Sequence, residues 1–428
     1  MNIGSVVAGL GGCPCGKSHT VQIKAVEIAP GLLTRCPAIL AENGFPRRIL
    51  VVADKNALTA SDGIPEALKH GGFEIETKIY DDLRVAEAQF AAEVADLAKA
   101  CGGILSVGSG SCNDVCRRAA LLADREFAIF ATAPSMDGFA SGTAPITDRN
   151  FKATLPARQP SIIIGDTEIL SKAPAALKTA GFGDVLAKYV ALTDWRVSHL
   201  LTGEYYCEKI AALVRGTVAK MAALADRITA DDPETAGVIM EALVWSGLAM
   251  KLADSVRPAS GTEHVLSHYW EIKKLEKGLL SDFHGRKVGV ATLFAARIYH
   301  EIIRRETVTF HPDATDWEKV FAAYGSAFRG DVEKVNSPTV TAETTPERLR
   351  DNWEAIRRIV REELPAPEKI EDLLTRAGAA KTLADIDVSP DLGIEGLRWH
   401  PYMRHRMTLM RCLPMTDLTP DYAAAIRD

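Results

Sequence analysis

The period of the hydrophobic residues changes once along this 428-residue chain. Between about residues 48 and 166, short apolar runs of strand length alternate with stretches that place apolar residues at helical spacing. Repeated strand–helix alternation is typical of a parallel sheet with helices on its faces. After residue 166 the strand signals stop and long amphipathic stretches follow. The change predicts an α/β first half and an all-helical second half.

We therefore predict two domains: a Rossmann-like α/β domain over residues 1–170 and a helical domain over residues 171–428. The turn residues around Ser171-Lys-Ala-Pro174 support a boundary there. Predicted strands cover 48–53, 73–80, 103–107, 127–131 and 161–165, with helices at 57–69, at 84–100 and from 113. Predicted helices of the second half cover 183–200, 204–229, 234–256, 262–276, 287–305, 316–329 and 346–363.

Composition excludes several classes of protein. Hydrophobic residues make up 47% and charged residues 25% of the chain, the balance of a globular protein. A formal charge of −6 argues against nucleic acid or an anionic membrane as the main partner. Eight sparse cysteines fit reduced thiols, and the sequence shows neither a leader pattern nor an uninterrupted apolar run of spanning length. We expect a cytoplasmic protein.

Residues 11–18 match the P-loop pattern for phosphate binding letter for letter. A P-loop follows a strand and opens a helix, whereas the next residues, 20–28, have the pattern of a strand. We therefore interpret the match as accidental. Cys13, Cys15 and His19 in the same segment are zinc-type ligands. Because they lie in one turn without a partner pair nearby, a β-hairpin is favoured over a metal site.

Residues 107–114, Val-Gly-Ser-Gly-Ser-Cys-Asn-Asp, leave a predicted strand and enter a predicted helix. Small residues at such a junction let backbone N–H groups approach a pyrophosphate, and the N-terminus of the helix adds favourable partial charge. An ordinary tight turn is the alternative. Asp54 directly follows the first predicted strand, where a carboxylate accepts hydrogen bonds from an adenosine ribose and repels a 2′-phosphate. Together these features predict a dinucleotide site that prefers NAD to NADP.

Residues 131–138, Ala-Thr-Ala-Pro-Ser-Met-Asp-Gly, follow another predicted strand. Ligands of open α/β sheets bind outside the carboxyl ends of the parallel strands. We therefore expect the polar groups of this segment, Asp137 among them, to face the same crevice as the glycine-rich turn. Without that context an ordinary Asp-Gly turn is the simpler interpretation.

Three residues of the helical half are candidate metal ligands. His264 and His268 lie four residues apart on one predicted helix face, and His284 follows beyond that helix. The order Glu-His-x-x-x-His differs from the zincin pattern, so a metalloprotease is not indicated. Asp184 lies where a helix is predicted to begin, so a capping role is its alternative. One Asp with two His suits Zn, Fe or Ni, although spacing alone favours surface or core histidines.

Several longer motifs resemble those of the bacterial sn-glycerol-1-phosphate dehydrogenases. The resemblance runs from the Cys-Pro-Cys-Gly turn to Arg404-His-Arg-Met-Thr408 and covers nearly the whole chain. That family shares the dehydroquinate synthase-like fold of the iron-containing alcohol dehydrogenases. The motifs are Gly-Ser-Gly-Ser-Cys-Asn-Asp at 108–114, Ala-Thr-Ala-Pro-Ser-Met-Asp-Gly at 131–138, Gly-Phe-Gly-Asp-Val-Leu-Ala-Lys-Tyr at 181–189, His-Leu-Leu-Thr-Gly-Glu-Tyr-Tyr-Cys at 199–207, Arg-Pro-Ala-Ser-Gly-Thr-Glu-His at 257–264 and His-Gly-Arg-Lys-Val-Gly-Val at 284–290.

The resemblance implies a nucleotide-binding α/β domain, a helical metal domain and a site in the cleft between them. It implies that Asp184, His264 and His284 hold the metal, and that Asp137 and His268 contact the substrate. Asp54 matches the NAD-preferring pattern of the family. The residues implied to hold the cofactor are Gly108, Ser109, Gly110, Ser111, Asn113, Asp114, Thr132, Ser135 and Ser141. The family also leads us to expect a homo-oligomer, a dimer or larger.

The expected reaction interconverts sn-glycerol 1-phosphate and dihydroxyacetone phosphate with NAD(H). We expect the metal to act as a Lewis acid on the C2 oxygen while hydride passes to or from the nicotinamide. Asp184 is expected to contact the substrate as well as the metal. His268 would bind substrate or relay a proton. Lys188 and Arg257 are candidates for binding the phosphate, because they are cations close to motif residues in the sequence.

Three alternatives remain open at this point. A sugar-phosphate cyclase or lyase of the same fold would use NAD transiently, without net NADH turnover. A dehydrogenase for a different small polyol or polyol phosphate would use the same site. A catalytically silent nucleotide- or metal-sensing module is the third alternative, which three candidate ligands and a substrate aspartate in one expected cleft argue against.

Overall fold

The computed structural model describes residues 3–427 and has at its centre a six-stranded sheet in which every pair of neighbours is parallel. The strand order is β1-β8-β5-β4-β2-β3. Strands β6 and β7 form a separate antiparallel hairpin. The strands are β1 Ala25–Ala29, β2 Arg48–Asp54, β3 Glu74–Tyr80, β4 Gly103–Gly108, β5 Glu126–Ala131, β6 Thr143–Asp148, β7 Phe151–Pro156 and β8 Ile162–Asp166.

The central strands are buried on both faces, which explains their continuous apolar sequences. Alternate residues of each strand enter different clusters: Leu50 and Val52 of β2 pack in one core, and Ile49 and Val51 in the other. The second core is closed by the helices before β2 and β3. The first core continues through the helices of the C-terminal half. The predicted parallel sheet is confirmed, and strand β1 covers only the last part of the predicted run 20–28.

The three predicted helices of the first half lie between the strands, with one division, whereas the helices at Ile3–Gly9 and Leu32–Glu42 were not predicted. The predicted helix 57–69 is two helices, because Gly63 adopts φ 95° between them, a conformation that favours glycine. The β6–β7 hairpin was missed by the sequence patterns. These helices are α1 Ile3–Gly9, α2 Leu32–Glu42, α3 Lys55–Ala60, α4 Ile64–His70, α5 Ala88–Ala98 and α6 Gly110–Ala123.

Beyond β8 the described chain is helical, as predicted. The seven predicted helical stretches all correspond to helices, whereas the short helices after residue 363 were missed. The helices are α7 Thr167–Ser171, α8 Ala175–Leu186, α9 Lys188–Thr202, α10 Glu208–Ala222, α11 Pro233–Ala253, α12 Thr262–Glu276, α13 His284–Ile302, α14 Trp317–Val335, α15 Pro346–Asp351, α16 Trp353–Glu363, α17 Pro367–Arg376, α18 Pro390–Trp399, α19 Leu409–Cys412 and α20 Tyr422–Ala425.

Helix α11 is the one described helix that is long and apolar enough to cross a membrane. Its most apolar window is 72% buried inside the protein, where it packs against α7, α8 and α10. A mostly buried helix with several packed neighbours is a central helix of the protein core. The last sheet strand ends at Asp166 and α7 begins at Thr167, so the change of architecture falls near the predicted domain boundary, which itself stays a prediction.

Candidate active site

A cleft of about 840 Å³ lies at the carboxyl ends of strands β2, β4 and β5 and is closed on its other side by residues of α12 and α13. Parallel strands present their carboxyl ends to the same edge of the sheet, where α/β proteins bind ligands. A cleft of this volume suits a dinucleotide together with a small substrate. We call it the active-site cleft.

The glycine-rich turn joins β4 to α6 at one end of the cleft. A Cβ at Gly108 would lie 3.0 Å from the Cβ of Cys112, so any larger residue would have to displace that side chain. The hydroxyl of Ser109 hydrogen-bonds Ser135, which ties the turn to the segment after β5. The backbone N–H groups at the start of α6 therefore face a cleft that can accept a pyrophosphate.

The structure brings most of the predicted cofactor residues to this end of the cleft. Asp54 lies at the end of β2 and caps α3, where its carboxylate accepts a hydrogen bond from the N–H of Ala57 at 2.8 Å. Asn113 is fully buried and, like Gly108, does not line the cleft. The predicted cofactor residues that line the cleft are Asp54, Ser109, Gly110, Ser111, Asp114, Thr132, Ser135 and Ser141.

Asp137 opens the short 3-10 helix Asp137–Ala140 that crosses α11. The two elements approach closely because Gly247 of α11 has no side chain; a Cβ there would lie 2.7 Å from the carbonyl oxygen of Asp137. The carboxylate of Asp137 accepts a hydrogen bond from the hydroxyl of Ser246 at 2.8 Å. Asp137 therefore belongs to a fixed buried network at the cleft and not to an ordinary surface turn.

Asp184, His264 and His284 converge from three helices; both histidines line the cleft, whereas Asp184 is fully buried and does not line it. One ligand atom from each lies within 4.8 Å of the others. Nε2 of His264 is 3.4 Å from Oδ1 of Asp184, and the ring centroids of His264 and His284 are 5.2 Å apart. Three nitrogen and oxygen donors are one fewer than a closed structural site has, which is the protein donor number of a catalytic metal site.

Glycines on α8 and α13 bring this triad together. A Cβ at Gly183 would lie 2.4 Å from the carbonyl oxygen of Gly285, and one at Gly285 would lie 1.9 Å from that of Ala180. The two helix backbones can therefore touch, which places Asp184 beside His284. The alternative role of Asp184 as a helix N-cap was wrong, because α8 begins at Ala175 and Asp184 lies in its last turn.

The donors of the triad fit a divalent cation. Nδ1 of His264 lies 2.6 Å from Oε1 of Glu263, the kind of contact that orients a metal-binding imidazole, and Nε2 of that ring faces Asp184. Burial would raise the pKa of Asp184, but Lys188 and both histidines hold it below its usual range. Burial lowers the pKa of His284 to about 3, so this ring is neutral. Burial would lower the pKa of His264, but Asp184 and Glu263 outweigh it and raise the pKa, so a metal would displace a proton from this ring when it binds.

Lys188, one helical turn beyond Asp184, is buried between two carboxylates. Its Nζ lies 2.6 Å from Oδ2 of Asp137 and 3.0 Å from Oδ1 of Asp184. Burial alone would lower the pKa of Lys188, but the two carboxylates outweigh it and raise the pKa. Lys188 therefore holds the two aspartates in place instead of presenting a free charge to the cleft.

Arg257 is also engaged elsewhere. Its Nε lies 3.2 Å from the carboxylate of Glu204, and its Nη2 donates hydrogen bonds to the carbonyl oxygens of Asp194 and Met407. It does not line the active-site cleft. This geometry shifts the expected phosphate site away from Lys188 and Arg257.

His268 lines the cleft one turn after His264 and stacks on His284, with ring centroids 5.4 Å apart. Its Nε2 is buried and has no hydrogen-bond partner within residues 3–427. Burial, with Lys152 next, holds the pKa of His268 well below its usual value. A neutral ring with an unsatisfied nitrogen is prepared to hydrogen-bond a ligand in the cleft.

Sequence reasoning missed a group of cations beside His268. Lys152, from the unpredicted β6–β7 hairpin, and Lys287 share the carboxylate of Glu271, each at 2.9 Å. Arg404 and Arg406, near the C-terminal end of the chain, line the same part of the cleft. The only local signal for the two arginines is the basic run Arg-His-Arg at 404–406, which lies in the last motif of the family resemblance.

The two arginines form no ion pair with any described carboxylate. Arg404 donates a hydrogen bond to the carbonyl oxygen of Lys152 at 2.7 Å, and Arg406 donates to the carbonyl oxygen and hydroxyl of Ser260 at 2.8 and 2.9 Å. Burial lowers the pKa of Arg404 to about 10 and that of Arg406 to about 9. Two half-buried guanidinium groups at a cleft, without carboxylate partners, have the chemistry that suits an anion such as a phosphate.

The fold and the site together define a protein with an α/β nucleotide-binding half, a helical half and metal-type donors at the cleft. A family model described as iron-containing alcohol dehydrogenase matches residues 27–174. A probable glycerol dehydrogenase from Sinorhizobium meliloti superposes with a TM-score of 0.62 at 17% identity, over 94% of this chain and 95% of that one. NADH-dependent butanol dehydrogenase A from Thermotoga maritima also gives 0.62, at 14% identity over 96% and 98% of the two chains.

Comparison with known sequences narrows the class. The chain is 30% identical to a glycerol-1-phosphate dehydrogenase (NAD(P)+) of Halalkalibacterium halodurans, over 94% of this chain and 95% of that protein. It is 31% identical to the enzyme of the same name from Methanothermobacter thermautotrophicus, over 75% of this chain and 84% of that protein. The chain belongs to the glycerol-1-phosphate dehydrogenase family.

Proposed function

We propose that this protein interconverts sn-glycerol 1-phosphate and dihydroxyacetone phosphate with NAD(H), using one divalent metal ion. The observation that carries the proposal is a metal-type triad at one cleft that is also lined by two half-buried arginines without carboxylate partners. The names of the similar bacterial and archaeal proteins support the same reaction. The proposal covers a soluble enzyme that acts in the cytoplasm as a homo-oligomer, built from domains 1–170 and 171–428.

Asp184, His264 and His284 would hold the metal, which, when bound, supplies Lewis-acid polarisation of the C2 oxygen of the substrate. The side chain of Asp184 is fully buried, so its position is fixed by the close packing of α8 and α13. Glu263 positions the ring of His264 through the 2.6 Å contact with Nδ1. These contacts preorganise the three donors before any substrate arrives.

Arg404 and Arg406 would bind the phosphate of the substrate. The phosphate dianion offers the partner that each guanidinium lacks among the described carboxylates. Lys152 lies beside Arg404 but already shares Glu271 with Lys287, so it adds a weaker attraction. This assignment replaces Lys188 and Arg257 as the proposed phosphate-binding residues.

His268 and Asp137 would contact the polar groups of the substrate between the phosphate and the reacting carbon. The unsatisfied Nε2 of His268 can accept or donate a hydrogen bond to a hydroxyl and exchange a proton with it. Asp137, which Lys188 and Ser246 hold in place, keeps an acceptor at the cleft. Both residues therefore position the substrate for hydride transfer.

The glycine-rich turn would receive the pyrophosphate of the dinucleotide at the N-terminus of α6. Asp54 would accept hydrogen bonds from the adenosine ribose and disfavour a 2′-phosphate, which makes NAD the proposed cofactor. Its hydrogen bond from Ala57 fixes the carboxylate at the mouth of the cleft.

The test is an assay of NADH oxidation with dihydroxyacetone phosphate after chelation and after addition of Zn²⁺, Ni²⁺ or Fe²⁺. The proposal predicts that one or more of these metals restores stoichiometric NADH consumption. Conversion of a sugar phosphate without net NADH turnover would support the cyclase alternative instead. Binding of NAD and metal without any turnover would support the sensing module.

A further inference from the structure

We infer that Cys13, Cys15, His19 and Cys207 form a second metal site, of the closed structural type, which takes Zn²⁺. One ligand atom from each of the four lies within 4.8 Å of all the others. Cys207 supplies the partner that the local sequence around Cys13 lacks, from a position 194 residues further along the chain. We call these four residues the cysteine cluster.

The distances within the cysteine cluster suit a tetrahedral ion. Zn–S bonds of about 2.3 Å place two sulfur ligands of a tetrahedron about 3.8 Å apart. The Sγ atoms of Cys13 and Cys207 are 3.5 Å apart, and Nε2 of His19 lies 3.2 Å from Sγ of Cys15 and 3.9 Å from Sγ of Cys207. The donors surround a position large enough for Zn²⁺ with only small adjustments.

The neighbours of the cysteine cluster orient its donors. Nδ1 of His19 lies 2.7 Å from the carbonyl oxygen of Leu252. A carbonyl only accepts hydrogen bonds, so Nδ1 carries the ring proton and Nε2 presents its lone pair to the three sulfurs. The hydroxyl of Tyr205 donates to Sγ of Cys15 at 3.4 Å, which favours the thiolate form that binds metal.

The surroundings of the cysteine cluster differ from those of the active-site triad. Cys13, His19 and Cys207 are buried, and Cys15 is half-buried. Four protein donors complete a tetrahedron, so no position remains for a substrate, and three thiolates select zinc over magnesium or manganese. None of the four residues lines the active-site cleft.

The cysteine cluster has an evident structural role. Residues 10–24 contain no helix or strand, so the predicted hairpin is absent there and few backbone hydrogen bonds hold the segment. Cys207 immediately precedes α10, and Leu252 lies at the end of α11. A metal ion would therefore fasten the N-terminal segment to two core helices of the helical half.

Metal content of the purified full-length protein tests the inference. We expect about two metal ions per chain in protein produced with zinc, because each cluster holds one ion. Cys207→Ala should retain only the active-site metal, and His264→Ala only the zinc of the cysteine cluster. Cys36→Ala, which removes a fully buried thiol outside the cluster, should retain both. Cys207→His, which restores a donor, should recover zinc if Cys207→Ala folds poorly.

Replacement of zinc by Co²⁺ gives an independent readout of the ligands. Thiolate ligation produces an intense near-ultraviolet charge-transfer band, which the Asp/His triad cannot produce. The band should appear in the wild-type protein and in His264→Ala and be lost in Cys207→Ala. Absence of the band in the wild-type protein, or a Cys13–Cys207 disulfide in the freshly purified protein, would overturn the inference. Either result would leave the proposed reaction at the active-site cleft intact.

Discussion

The active-site triad and the cysteine cluster place metal-type donors in two opposite environments. The triad has three hard or intermediate donors, of which the two histidines line a cleft, and a third histidine with an unsatisfied nitrogen lies beside it. The cysteine cluster has three soft sulfurs and one imidazole that enclose their centre. A catalytic metal site is therefore distinguished from a structural one by the number of its protein donors and by its access to a cleft, more than by the presence of histidines.

Removal of a triad ligand should give the largest effect. His264→Ala should lower kcat/KM by about 1000-fold or more, since a Lewis acid supplies several kcal/mol of transition-state stabilisation. The thermal midpoint should change little, because the cysteine cluster keeps its zinc. Steady-state kinetics and metal analysis check both statements. His70→Ala, at an exposed histidine of α4, is the control, and equal loss of activity there would contradict the assignment.

Removal of a cluster ligand should give the opposite pattern. Cys207→Ala should lower the free energy of unfolding by about 3 kcal/mol and the thermal midpoint by about 5 °C, while kcat stays near the wild-type value. Calorimetry with and without a chelator measures the effect, and chelation should bring the wild-type protein towards the variant. An unchanged midpoint with unchanged zinc content would rule out the structural role. Cys36→Ala serves as the matched control for loss of a buried thiol.

Replacement of either Arg404 or Arg406 should weaken phosphate recognition and leave the content of both metal sites unchanged. Arg404→Gln or Arg406→Gln should raise KM for dihydroxyacetone phosphate by about 30- to 100-fold, the value of a charge-assisted hydrogen bond. Activity with unphosphorylated dihydroxyacetone should change little. Initial rates with both substrates distinguish the two effects. Arg358→Gln, at an exposed position of α16, should change neither.

Replacement of Asp54 should change the preference between NADH and NADPH, by a smaller factor than the changes in KM expected for the arginine variants. Asp54→Asn preserves the helix cap, since asparagine caps helices as well as aspartate, but removes the charge. The ratio of kcat/KM with NADPH to that with NADH should rise by about 10-fold as the repulsion of the 2′-phosphate is lost. Asp81→Asn, at an exposed aspartate paired with Lys55, should leave the ratio unchanged. An unchanged ratio in Asp54→Asn would place cofactor selection elsewhere.

The smallest effect concerns Asp114, a buried carboxylate whose cationic neighbour Arg117 does not outweigh the effect of burial. Burial raises the pKa of Asp114 to about 6, above its value in the unfolded chain. Folding is therefore disfavoured increasingly as pH rises from about 4 to 6, by about 1 to 3 kcal/mol in all.

Asp114→Asn should remove this dependence, so its stability relative to the wild-type protein should increase between pH 4 and 7. Urea unfolding without cofactor at several pH values measures the difference. Asp124→Asn, at the exposed end of the same helix, should show no such trend. A wild-type protein whose stability is flat over this range would contradict the raised pKa.

The sequence predicted the sheet and the triad because their signals are local or carried by long motifs. Buried parallel strands leave continuous apolar runs, and the glycines around Asp184 and after His284 belong to the motifs that identify the family. Spacing alone left a helix-capping role open for Asp184, which the structure excludes. Only the packing of α8 on α13 explains why glycine at 183 and 285 is needed.

The rest of the site depends on contacts that are distant in the chain. Cys207 completes a cluster with Cys13 across 194 residues, and Arg404 meets Lys152 through a hairpin that the patterns did not predict. Lys188 and Arg257 adjoin motif residues and were therefore predicted to bind the phosphate, but both form ion pairs with neighbouring carboxylates. Charge and spacing therefore identified the kinds of residue involved, whereas the fold decides which charges remain free.

The most direct test of the proposed function is the ratio of kcat/KM for dihydroxyacetone phosphate to that for dihydroxyacetone, measured with NADH in the metal-reconstituted protein. Two half-buried guanidinium groups without carboxylate partners predict a ratio of about 100 or more, with sn-glycerol 1-phosphate as the product. A ratio near one, or a glycerol product formed as readily as the phosphate ester, would contradict it.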